Sequence, residues 1–158
     1  MIFKKKVISE RLTKLDEAIS ILRKHQSVKW EKYEGDIELQ WIIERGFILT
    51  AEMIFDIGAH ILASEFSIYP DEYEDIIKQL GAKGVISQNL TEGLKGFAGF
   101  RNILVHEYIN IDQKIIYNAL KEDVNLLTEF LKSLSLWKDV NLLTEFLKSL
   151  SLWIKDFA

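Results

Sequence analysis

Apolar residues at Val7, Leu12, Leu15, Ile19 and Leu22 recur at mixed short steps with charged residues between them, which predicts an amphipathic helix from about Lys6 to His25. The polar stretch HQSVKWEKYEGDIE separates it from a longer helical pattern, about Asp36 to Phe66, in which Trp41, Ile48, Phe55 and Leu62 stand seven apart. This second helix is expected to be the central one. Pro70 followed by DEYED reads as a helix start, since proline fits the first turn and carboxylates there meet the positive end of the helix dipole. That short third helix ends near Leu80. GAKGV then breaks the chain, Ser87 is placed to cap a fourth helix from about Gln88 to Val105, and Asp112 caps a fifth.

Within the fifth segment DVNLLTEFLKSLSLW, residues 123–137, recurs without a change at 139–153. Solenoid repeats are longer than this 16-residue period, occur at least three times and drift on their solvent faces. An identical pair points instead to a recent duplication or an assembly error, and is not read as functional design. At about 100° per residue, 16 residues rotate a continuous helix by about 160° beyond whole turns, so the second apolar face would point nearly opposite the first. The two copies are therefore not expected to line one groove from one helix. Either the second finds a new partner surface, such as another subunit, or the copies compete for one groove and the loser forms a tail.

The expected architecture is all-α: one domain over residues 1–158, an antiparallel bundle of about five helices with an extended or displaced duplicated C-terminal segment. Composition agrees, because 48% apolar residues suffice for a core and a single Pro with eight Gly leaves little punctuation for many short strands. Cys is absent, which removes disulfides, thiolate zinc sites and cysteine nucleophiles and favours an intracellular home. MIFKKKVISER lacks the apolar run of a signal peptide, and no uncharged run approaches a membrane span, so the expectation is a soluble cytoplasmic protein without a membrane partner. The net charge of −4 argues against a broad nucleic-acid-binding face but leaves room for a small local site over one or two phosphates.

Candidate chemistry is sparse. His25 reads as a solvated helix end. Glu52, Asp56 and His60, at four-residue intervals, share one helical stripe that forms a supporting polar ladder or a half-exposed face; a metal site there is the weaker reading, since no second ligand motif accompanies it. The acidic residues Asp71, Glu72, Glu74 and Asp75 read as a solvated first turn. Gly93, Gly96 and Gly99 do not match a phosphate-binding loop and suggest close approach of another backbone, within the chain or across a dimer.

GFRNILVHEY, residues 99–108, is the sharpest signal, with Arg101, Asn102, His106 and Tyr108 in an R-x4-H-x-Y pattern. On an ideal helix Arg101 and Tyr108 share a stripe, as do Asn102 and His106, whereas Arg101 and His106 lie about 140° apart. One helix would not easily bring that arginine and histidine onto one phosphate, but two antiparallel copies across a two-fold axis would. Such a composite site suits metal-independent RNA cleavage: a 2′-hydroxyl attacks the adjacent phosphorus, histidine moves protons and arginine stabilises the phosphoryl charge. The bland alternative is a basic helix end that meets the dipole and satisfies carbonyls.

These residues resemble the HEPN superfamily, and within it the HepT-like toxins of HepT–MntA toxin–antitoxin pairs. The resemblance is strongest over GFRNILVHEY and extends loosely from the first helix to about Trp137. It implies a HEPN-like bundle that dimerises through the motif region, a ribonuclease with catalytic Arg101, Asn102 and His106, and an RNA substrate. It also implies a partner MNT-type nucleotidyltransferase antitoxin that transfers AMP to Tyr108. No metal or other cofactor is implied. The alternatives are a non-catalytic nucleotide- or RNA-binding accessory of a nucleotidyltransferase, a purely structural interaction module, and a metal site on Glu52, Asp56 and His60.

Overall fold

The computed structural model describes residues 2–107 and 109–157, with side chains from residue 5 onward, and among them all regular structure is helical. The helices are α1 (Ile2–His25), α2 (Trp30–Glu34), α3 (Ile37–Phe66), α4 (Tyr73–Ala82), α5 (Gln88–Gly93), α6 (Phe97–His106), α7 (Gln113–Glu122) and α8 (Val124–Asp156). The central helix is α3. It starts where Asp36 accepts a hydrogen bond from the Leu39 amide at 3.0 Å, satisfying one of the amide donors that a helix start leaves unpaired. It ends at Ser67, in the left-handed region (φ 53°), with the Ser67 and Ile68 amides both donating to the Leu62 carbonyl.

By length and composition α3 alone among the described helices could cross a membrane, yet 56% of its most apolar stretch is buried inside the bundle. Helix α1 lies antiparallel against it, and the two approach closely because Gly46 has no side chain: a Cβ there would stand 2.8 Å from Leu22 Cδ2. Helix α4 packs on the C-terminal half of α3 by the same device at Gly58, where a Cβ would meet Ile76 Cγ2 at 2.6 Å. These two glycines, rather than Gly96 or Gly99, set the backbone separations around α3.

Several sequence expectations shift by identifiable causes. The polar linker contains the short helix α2, whose Tyr33 is fully buried and donates through its hydroxyl to Gln113 Oε1 on α7 at 2.5 Å. Burial, and then the nearby Glu44 charge, push that phenol's pKa up. Pro70 lies before α4 rather than in its first turn, and the helix starts after Glu72. The expected fourth helix divides at Gly96, which takes φ 87°, a left-handed conformation that glycine adopts without steric cost. Trp41 is largely exposed while Phe55 and Leu62 are buried, because a seven-residue spacing drifts about 20° per step on a straight helix and carries the stripe off the core. Ser87 and Asp112 cap α5 and α7 as the sequence suggests, accepting from Leu90 N at 3.2 Å and Lys114 N at 2.9 Å.

The fifth expected segment bends at Asp123 into α7 and α8. Burial, and then the neighbouring Glu122 charge, raise the pKa of the Asp123 carboxyl, whereas Asp139 at the matching place in the second copy is exposed. Helix α8 is continuous through both copies and antiparallel to α1, tied to it by Arg23 donating to Thr128 Oγ1 and by the ion pair Lys5–Glu145. Val124, Leu127, Phe130 and Leu134 of the first copy are buried in the bundle, while Val140, Leu143, Phe146 and Leu150, the same residues of the second, are exposed. The half-turn phase difference between the copies thus selects which one joins the core.

Candidate active site

Helix α6 is held on α3 by aromatic packing. Phe100 meets Phe47 edge-on at 5.1 Å between ring centres, and Phe97 lies 6.1 Å from Phe55. With Leu104 also buried, one face of α6 is committed to the core, and Asn102 and His106 are left on the exposed side.

Arg101 sits at the boundary between these faces. Its Nε and Nη2 both donate to Glu52 Oε1 of α3, at 3.0 and 2.7 Å, and its guanidinium lies 4.7 Å from the centre of the Tyr73 ring of α4. Nη1 donates to Asn102 Oδ1 at 3.3 Å. The arginine side chain is only 14% exposed, so its plane and reach are fixed by a carboxylate, an aromatic face and an amide before any ligand arrives. A planar cation with N–H donors in a rigid fork suits a phosphate oxygen better than a flexible ammonium would.

His106 is the last residue of α6, exposed, and with Glu107, Ile109 and Asn110 it lines a shallow depression. The helix stops there as the Glu107 amide donates to the Ile103 carbonyl at 3.0 Å. Five residue steps of α-helix lead from Arg101 to His106, a rise of about 7.5 Å and a turn of about 140°. The fold thus keeps Arg101 against α3 and α4 and turns His106 outward. Tyr108 lies outside the described residues.

Glu52 and Asp56, two members of the expected stripe, turn to different helices. Glu52 faces α6 and holds Arg101, whereas Asp56 meets Arg11 Nε of α1 at 3.3 Å, about half exposed. His60 is half-buried a turn further along α3. Among the described residues no group of three or more His, Asp or Glu side chains is placed to hold a metal ion. His25 closes α1. Of the three glycines, Gly93 lets Leu126 of α8 approach a would-be Cβ at 3.0 Å, Gly96 forms the turn into α6, and Gly99 faces open space. Tyr73, inside the acidic run, was not singled out as a site residue by its spacing, yet it stacks on the motif arginine. Asp71, Glu72 and Glu74 are exposed and Asp75 partly so; Glu74 also accepts from the Gly96 amide at 3.3 Å.

The bundle, with its motif helix packed across a long central helix, is the fold of HEPN toxins. A Shewanella oneidensis HEPN toxin, solved tri-AMPylated in complex with an MNT antitoxin, superposes with TM-score 0.72 at 21% identity, over 82% of this chain and 96% of that one. The cytosolic protein YutE of Bacillus subtilis, of unknown function, superposes with TM-score 0.75 at 20% identity, over 87% and 92% of the two chains. The chain belongs to the HepT-like ribonuclease family, whose model matches residues 15–134. Among curated relatives it is 28% identical to the tRNA nuclease HepT of Aphanizomenon flos-aquae over 114 residues, covering 72% of this chain and 78% of that protein. The family match ends before the second copy of the repeat begins.

Proposed function

We propose that this chain is the toxin of a toxin–antitoxin pair, a metal-independent endoribonuclease of the cytoplasm whose site is completed by two copies of the motif helix. The observation that carries this reading is the division of labour on α6: a guanidinium fixed in place by Glu52 and Tyr73, and a histidine exposed at the helix end on another face. One chain supplies both groups but directs them apart. A second chain related by a two-fold axis supplies the same pair in the opposite sense.

In the proposed reaction a 2′-oxygen of RNA forms a bond to the adjacent phosphorus as the bond to the 5′-oxygen breaks. The products are a 2′,3′-cyclic phosphate and a 5′-hydroxyl. His106 of the facing chain accepts the 2′-hydroxyl proton, and water donates one to the leaving 5′-oxygen. Arg101 binds the phosphoryl oxygens as their charge grows, and Asn102, bonded to its Nη1, keeps the fork in plane. DNA, lacking the 2′-hydroxyl, is not a substrate.

Tyr108, two residues beyond His106, is the proposed acceptor of AMP from a partner nucleotidyltransferase of the MNT type. Its phenolic oxygen attacks the α-phosphorus of ATP and pyrophosphate leaves. The product places a negatively charged, bulky group beside the RNA site and repels the substrate phosphate. The AMPylated state of the Shewanella toxin, whose fold this chain shares, supports this reading.

Cleavage of mixed cellular RNA in EDTA tests the proposal. The wild-type chain is expected to produce 2′,3′-cyclic phosphate ends, and His106→Ala to be slower by about 10²–10⁴-fold. Equal cleavage by both folded proteins would remove His106 from the chemistry. If both are inert with Tyr108 unmodified, the non-catalytic accessory reading takes its place.

A further inference from the structure

The exposed side of α8 from Leu136 to Phe157 has an order of its own. Leu136, Val140, Leu143, Leu147, Leu150, Ile154 and Phe157 follow one another at steps of four and three residues, all apolar and each between 40% and 75% exposed. That alternation is the seam of a coiled coil, with Val140, Leu147 and Ile154 at one class of core position and Leu136, Leu143, Leu150 and Phe157 at the other. β-Branched Val140 and Ile154 in the first class and leucine at three of the four positions of the second favour two strands. The seam arises from the phase of the duplication, which rotates residues equivalent to the core-forming Val124, Leu127 and Leu134 to the outside of the same helix.

We propose that this face of α8 pairs with the same face of a second copy of this chain. At on the order of 100 Å² of accessible surface per side chain, the seam together with the flanking Phe146 and Trp153 exposes about 900 Å². Standard stable interfaces bury about 800 Å² on each partner. The seam therefore carries enough surface for a dimer contact, whereas monomeric proteins rarely leave so large a continuous apolar patch in water. Charge permits self-pairing as well. The positions flanking the seam from residue 137 to 153 are Trp137, Asp139, Thr144, Phe146, Ser151 and Trp153, so two identical faces meet with little like-charge repulsion. The contact is separate from α6 and does not depend on the ribonuclease reading.

The absence of cysteine allows a clean test in the full-length chain. Leu147 lies near the middle of the seam, so Leu147→Cys falls close to its symmetry mate whether the two helices run parallel or antiparallel. Lys148→Cys, one position round the helix, points away from the seam and reports chance encounters or contact through another surface. Under mild oxidation Leu147→Cys is expected to form an intermolecular disulfide on the order of tenfold faster than Lys148→Cys, because the bond needs Cα atoms within about 7 Å. Adding Leu143→Asp and Leu150→Asp, both at exposed positions, should abolish that advantage. Equal rates for the two cysteines, or an advantage that survives the aspartates, would overturn the proposal, as would a seam occupied by lipid or by another protein, which also leaves the rates equal.

Discussion

Phe130→Ala is expected to lower the unfolding free energy by about 3–5 kcal/mol, and Phe146→Ala by less than about 1 kcal/mol, measured as the shift in urea midpoint at constant slope. The comparison is unusually controlled. Both phenylalanines occupy the same place in the same 15-residue sequence within one continuous helix, so local helix propensity and near neighbours along the chain are matched. Only the tertiary surroundings differ: Phe130 is fully buried, and Phe146 is 62% exposed. A loss of 3–5 kcal/mol is a large part of the roughly 5–15 kcal/mol that holds a domain together. Equal midpoint shifts would mean that the second copy shares the core.

The second large effect is expected at Arg101. Lysine there keeps a positive charge but loses the fork that reaches Glu52 Oε1 through two nitrogens and the flat face over Tyr73. RNA cleavage should fall by about 10²–10³-fold in Arg101→Lys, comparable to the loss of one transition-state donor elsewhere. Glu52→Gln keeps an oxygen acceptor at the same place and removes only the negative charge, so its loss should stay within about tenfold. The order matters more than either value. If Glu52→Gln were as damaging as Arg101→Lys while both remained folded, the carboxylate itself would be taking part in the chemistry.

Much of the framework was legible because it is local. Ser87 and Asp112 are each placed as a cap by the residues that follow, and the bond each makes spans only two or three positions. The phase of the duplicated segment also follows from helix geometry alone, and the exposed second copy is its visible consequence. Gly96 was harder, because its left-handed turn interrupts a segment whose apolar pattern continues on both sides. Pro70 fits a first turn chemically, but the chain bends for longer before Tyr73 begins the helix.

Legibility of the site divides in the same way. Arg101, Asn102 and His106 are found by their spacing in one segment. The groups that orient the arginine come from afar: Glu52 lies 49 residues earlier, and Tyr73 belongs to a helix that the sequence marks by Pro70 and its carboxylates. The four-residue steps of Glu52, Asp56 and His60 suggested one shared ladder. Two separate arginines, Arg11 and Arg101, divide it instead, because α1 and α6 approach α3 at different turns.

Mixing inactive chains tests the central claim, a ribonuclease site completed by two copies, most directly. Arg101→Ala and His106→Ala proteins, each inert alone against RNA in EDTA, would be combined under conditions that let subunits exchange. A mixed dimer holds one site in which an intact arginine from one chain faces an intact histidine from the other, so cleavage with 2′,3′-cyclic phosphate ends should return in part. A mixture that stays inert, although exchange is demonstrated and the wild-type chain cleaves, would contradict the composite site.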